Sequence, residues 1–160
     1  MPVFPLPEFA KALAEQGALL GLDPGAKRIG VSVSDATRTI ASPIATIHRT
    51  KFAKDANEIF ELYDKRACLG VVVGLPLNMN GSSGPAAQAI RAFARNLLAV
   101  RDAPLLLWDE RLSTAAVTRA LLEADATRAR RSAVVDKLAA AYLLQGALDA
   151  MREGASAAGQ

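Results

Sequence analysis

Cysteine and histidine are nearly missing from this chain of 160 residues, which has one of each. A lone cysteine, Cys68, excludes an intramolecular disulfide and suits a reducing cytoplasm, where its expected role is packing at the start of a strand. The lone His48, near the end of an expected strand, reads as an ordinary surface residue, so no Cys/His metal cluster is available. No apolar run approaches the ~20 residues that a membrane span needs, and no membrane association is expected. The start, M-P-V-F-P-L-P-E-F, has neither the basic n-region nor the continuous apolar h-region of a signal peptide. No internal repeat is found. The excess of one sign of charge is also small: a net +3 and a pI of 9.3 permit nucleic-acid binding without demanding it. Apolar residues are plentiful, at 51% of the chain with a mean hydropathy of +0.18. That argues against disorder, and the length suits one domain with a proper core.

The pattern organises around Ala18 to Asp35, A-L-L-G-L-D-P-G-A-K-R-I-G-V-S-V-S-D. The apolar run from Ala18 to Leu22 reads as a buried strand that ends on Asp23, with Pro24 and Gly25 favouring a turn. From Ile29 to Asp35, apolar Ile29, Val31 and Val33 alternate with Gly30, Ser32 and Ser34, as in a half-exposed strand. Before this hairpin, residues 1–17 read as an extension with a short helix around Glu8 to Gln16, whose Phe9 and Leu13 dock it on the body. A third strand is expected from Thr39 to Ile47, with Pro43 at an edge or bulge. Phe52 to Arg66 is an amphipathic helix, and Leu69 to Val73 a strand of the kind buried in parallel sheets. The loop G-L-P-L-N-M-N-G-S-S-G-P leads into a helix capped by Ser82 or Ser83, with Pro85 in its first turn, which runs to about Val100. Pro104 to Trp108 is a further strand; Ser113 or Thr114 caps a helix through Glu123. A basic linker from Ala124 to Arg131 precedes a last helix, Ser132 to about Met151. The expected limits are an extension over 1–17, a domain over 18–152 and a disordered tail over 153–160. A three-strand meander followed by βα units gives an α/β fold, a mixed five-stranded sheet with helices on both faces.

In such sheets, sites form at the carboxyl ends of the parallel strands. Asp23 and Glu110 both follow expected buried strands. Asp23 is either a turn residue bonded to its own backbone or a metal- or phosphate-facing acid. Glu110 is either a solvated strand-end charge beside Arg111 or a site acid, and periodicity does not choose between it and Asp109. Asp136 shares a helix face with Ala139, Ala140, Leu143, Leu144 and Ala147, where an unpaired carboxylate costs several kcal/mol. Either a Lys or Arg elsewhere in the fold or a shared cation offsets that cost. Three carboxylates suit a hard ion, Mg²⁺ or Mn²⁺, and paired ions ~3.5–4 Å apart support phosphodiester cleavage. Lys27 and Arg28 after Asp23, Arg111 after Glu110, and Arg128, Arg130 and Arg131 ahead of the last helix are candidates for phosphate-backbone contacts. Asn78 and Asn80 suit either hydrogen bonds to sugar or base, or turn formation.

L-G-L-D-P-G-A-K-R-I-G-V-S-V-S-D, V-V-V-G-L-P-L-N-M-N-G, D-E-R-L-S-T and V-V-D-K-L-A-A-A-Y-L-L-Q resemble, in order, motifs of the YqgF (RuvX) family. They span Leu20 to Gln145. That family comprises pre-16S rRNA nucleases and relatives of Holliday junction resolvases. The resemblance implies an RNase H-like fold, Asp23, Glu110 and Asp136 as metal-binding catalytic acids, and cytoplasmic maturation of the 5′ end of 16S rRNA. The long extension before the first strand departs from the family and leaves monomer or homodimer open. Other readings are a resolvase of branched DNA, which calls for a two-fold dimer, a non-catalytic RNA-binding assembly factor, and a phosphotransferase built on the D-x-G turn. The last is disfavoured because such enzymes close two domains around the nucleotide.

Overall fold

A computed structural model describes residues 4–77, 80–110 and 128–158, the side chains of 128–133 and 155–158 excepted. Five strands, β1 (Ala18–Pro24), β2 (Arg28–Ser34), β3 (Ala41–His48), β4 (Cys68–Leu75) and β5 (Leu105–Asp109), form one sheet in the order β3-β2-β1-β4-β5. The β1–β2 and β2–β3 pairs are antiparallel, and β1–β4 and β4–β5 parallel, so the expected mixed sheet is present. β3 lies at the edge, and Pro43 sits beside the register shift at Val31/Ser32, where a missing N–H is tolerated.

Strand alternation sorts the side chains into two cores. Leu20 and Leu22 of β1 pack with α2 (Phe52–Lys65) and α3 (Pro85–Val100), through Ile59, Phe60, Phe93 and Leu97. Leu19, Val72, Leu106 and Trp108 face the other way, onto α4 (Arg128–Ala158) and α1 (Leu6–Ala12), through Leu143, Leu144, Leu148 and Phe9. The extension therefore belongs to the second core. Phe9 is fully buried, and Phe9 and Leu13 both lie against Gly70. The Arg38 guanidinium donates to the carbonyls of Gly17, Ala14 and Glu15.

Four expectations are corrected. β2 is not half-exposed: Ser32 and Ser34 are buried, because α4 covers that face. Ser32 Oγ donates to the Ala140 carbonyl at 2.7 Å and Ser34 Oγ accepts from the Leu19 N–H at 2.9 Å, so these small polar residues admit a close helix rather than water. The N-cap of α3 is Gly84, with no side-chain cap bond, rather than Ser82 or Ser83; Ser83 instead bridges to Leu77. The basic stretch is helical from Arg128 onward, not a linker, arginine being a good helix former. Finally, α4 continues past Met151 to Ala158, through an alanine-rich end of high helix propensity. The helix expected from Ser113 to Glu123 lies outside the described residues. Among the described residues no helix is long and apolar enough to cross a membrane.

Candidate active site at the carboxyl edge of the sheet

Asp23 stands opposite Gly30 in the antiparallel β1–β2 register. Directly opposed residues project to the same face, and a Cβ on Gly30 would fall 1.9 Å from the Asp136 carbonyl oxygen. Both Asp23 and Gly30 therefore belong to the face that α4 covers, and the missing side chain at Gly30 is what lets the α4 backbone down onto the strand. Two strands away, Glu110 follows Leu106 and Trp108 at period two and projects to the same face, whereas Asp109, in register with Leu75, belongs to the other. Glu110, and not Asp109, thus shares the face of Asp23. Gly74 of β4 lies between the two acids: it follows the Leu22–Val73 pair and is in register with Trp108. A Cβ there would lie 2.7 Å from Glu110 Oε1, so this glycine opens the space the carboxylate occupies.

The result is a cavity of about 400 Å³ at the carboxyl ends of β1, β4 and β5, with Asp23, Glu110, Gly74, Gly25 and Arg49 among its walls and α3 contributing Ala86, Ala89 and Ile90. Asp23 and Glu110 are each 8% exposed. Glu110 is therefore not the solvated strand-end charge that its simpler reading allowed.

Asp136 is held differently. It is not part of the cavity wall; its Oδ2 accepts from Arg28 Nε at 2.7 Å, with the two side chains 21% and 30% exposed. The rest of the helix face carrying it is buried as expected, at Ala139, Ala140, Leu143, Leu144 and Ala147. Among the described residues, no three His, Cys, Asp or Glu side chains converge closely enough to hold one metal ion. Two of the three candidate acids thus share a cavity, and the third stands above the register partner of the first in an ion pair with β2.

Of the candidate cations, Lys27 is exposed in the β1–β2 turn, and Arg28 is paired to Asp136. Asn80 Oδ1 accepts from both the Ser82 N–H and its hydroxyl, which is the turn-forming role. Asn78 and Arg111, and the side chains of Arg128, Arg130 and Arg131, lie outside the described residues. Sequence reasoning missed Arg49. Its only local signal is a basic residue just past a strand, and only the closure of β3 onto the β1–β2 turn brings it to the cavity.

The sheet order and the helices on both faces define the RNase H-like fold. A solved structure described as T. thermophilus RuvC in complex with Holliday junction substrate superposes with a TM-score of 0.53 at 16% identity, covering 86% of this chain and 96% of the other. Sequence comparison is more specific. The family model described as "RuvX: Holliday junction resolvase" matches residues 17–150, and the chain belongs to the RuvX family. Its relatives include a protein of Rhodospirillum rubrum, 61% identical over 152 residues, covering 94% of each chain. Another, from Caulobacter vibrioides, is 55% identical over 154 residues, covering 95% of this chain and 99% of the relative. Both carry the name "Putative pre-16S rRNA nuclease".

Proposed function

We propose that the protein is a divalent-metal-dependent endonuclease that hydrolyses phosphodiester bonds during 5′-end maturation of pre-16S rRNA. The observation that carries this reading is the pair of buried carboxylates, Asp23 and Glu110, set into one cavity at the carboxyl edge of the sheet. Membership of the RuvX family and the names of its relatives support the reaction class and the RNA substrate.

The donor set fits a hard cation. Two carboxylates share the cavity, no sulfur or imidazole lines it among the described residues, and Gly74 leaves room beside Glu110. Asp23 and Glu110 would hold Mg²⁺ or Mn²⁺; Asp136, the third acid that the family resemblance implies, stands beside the cavity in its pair with Arg28. When bound, such an ion lowers the pKa of its water and offsets charge on the phosphate. The chain's own contribution is positional. β1 and the end of β5 fix the two carboxylates, Gly30 and Gly74 set the spacing of α4 and β5 around them, and Arg28 holds Asp136 over Gly30. Arg128, Arg130 and Arg131 at the start of α4, with Lys27 and Arg111, would supply backbone contacts.

The test is cleavage of a pre-16S 5′-leader RNA and a four-way DNA junction side by side, with Mg²⁺ or Mn²⁺, by wild type and Asp23→Asn. Loss of at least about a hundredfold in the variant is expected, with the RNA preferred. Equal cleavage by both proteins would refute the assignment of Asp23. The description of the family model favours a second reading, a resolvase of branched DNA, and a preference for the junction by a dimer would select it. Folded wild type that cleaves neither probe would favour the RNA-binding assembly factor or an enzyme whose substrate is the ribosomal particle.

A further inference from the structure

Arg49 shares the cavity with two carboxylates and pairs with neither. Its only hydrogen bonds to other described residues run to the turn that follows Asp23. The backbone N–H donates to the Lys27 carbonyl at 2.9 Å, and Nη1 donates to the Gly25 carbonyl at 2.7 Å. From the other side, the guanidinium lies 5.5 Å from the centroid of the Phe93 ring on α3. The ring contact and the hydrogen bond together restrict where the guanidinium can sit. An arginine has five N–H donors, and this one uses Nη1 alone among the described residues. The remaining donors sit on a permanently charged fork in the wall of a cavity that Asp23 and Glu110 also line. An arginine serving only as a staple has no need of that cavity. A polyanion entering it meets in Arg49 the one Lys or Arg side chain that lines the cavity among the described residues.

We propose that Arg49 binds a backbone phosphate of the nucleic-acid strand in the cavity, acting as a substrate-positioning residue. This rests on the nuclease reading above. The planar fork matches two phosphate oxygens, which a lysine at the same place cannot reproduce. Since Arg49 is tied to the turn after Asp23, a phosphate bound there is held in fixed relation to that acid.

The experiment is fluorescence anisotropy of labelled 5′-leader RNA and a labelled four-way DNA junction, in EDTA so that no cleavage intervenes, across a salt series. The proteins are wild type, Arg49→Ala, Arg49→Lys, and Lys65→Ala as a charge-matched control. Lys65 is exposed at the end of α2, by the amino end of β4 and so away from the cavity. Arg49→Ala is expected to weaken binding roughly tenfold at low salt. It should also flatten the plot of log K against log salt by about 0.7 on single strands and 0.9 on duplex. Arg49→Lys should restore the slope but only part of the affinity, and Lys65→Ala should change neither. A merely structural Arg49 would lower the melting temperature of both Arg49 variants and leave the slope at its wild-type value; that result overturns the proposal. An equal effect from Lys65→Ala also overturns it, by showing nonspecific charge. Wild type that binds neither probe removes the nuclease reading, and the inference with it.

Discussion

Replacing Gly30 by alanine adds one methyl group and should disturb both the stability of the protein and its candidate site. The new Cβ would stand 1.9 Å from the Asp136 carbonyl oxygen and 2.3 Å from its carbon. Carbon and carbonyl oxygen do not approach closer than about 3.3 Å, so strand and helix must separate by roughly 1.4 Å. The obstacle is backbone, not the end of a flexible side chain, and the helix is tied down on either side. Ser32 Oγ bonds the Ala140 carbonyl at 2.7 Å, and Arg28 holds Asp136 at 2.7 Å. Overpacking of this kind costs about 1–3 kcal/mol, and the rigid surroundings place Gly30→Ala near the upper end. Lower backbone entropy of the unfolded chain returns ~0.4–1 kcal/mol, leaving about 2 kcal/mol of destabilisation. Urea unfolding followed by far-UV circular dichroism measures this as a lower midpoint at unchanged slope. Gly154→Ala is the control: nothing lies within 4 Å of its Cβ position, so it should stabilise α4 by ~0.5–1 kcal/mol. A Gly30→Ala protein as stable as wild type would refute the close approach of α4 to β2 and the placement of Asp136 that depends on it.

Gly74→Ala should separate activity from stability. Its Cβ would meet Glu110 Oε1 at 2.7 Å and Leu143 Cδ2 at 2.9 Å, both ends of side chains that can turn aside. Cleavage should fall at least about tenfold while stability changes by under ~1.5 kcal/mol; unchanged cleavage would show that the Glu110 carboxylate is not needed where it stands. Burial pushes the Cys68 thiol up to about 12, so native protein should resist iodoacetamide at mildly alkaline pH and react once unfolded in urea. With the folded pKa raised, this group's contribution to stability is full below the ordinary thiol pKa and fades as pH climbs toward 12. The Thr37 hydroxyl first, then the Ile40 and Thr39 N–H groups, hold the Asp35 carboxyl down at about 2. Its stabilisation of the β2–β3 turn is therefore present above the ordinary value of 3.8 and lost as pH falls through about 2. The urea-midpoint gap between wild type and Asp35→Asn should narrow over that interval, and a gap independent of pH would refute the assignment.

By itself, the sequence determined the elements and most of their faces, because both depend on local periodicity. Alternation in β1 sends Leu20 and Leu22 to one core and Leu19 to the other, and the helical spacing from Asp136 through Ala139, Ala140, Leu143 and Ala147 marks the stripe that α4 buries. The motifs carried the family for the same reason, being contiguous runs of residues. Contacts between segments distant in sequence were decided only by the tertiary structure. Polar Ser32 and Ser34 look like a wet strand face until α4, more than 90 residues downstream, covers them and takes up the Ser32 hydroxyl. Arg28 looks like a free cation until the same helix brings Asp136 to it. Placing Glu110 and Asp109 on opposite faces required knowing which face of β5 meets α4, and bringing Arg49 to the cavity required the closure of β3 beside the β1–β2 turn. Local periodicity fixes which way a side chain points from its own element, but the charge or carbonyl it meets belongs to another element, and only packing places that partner.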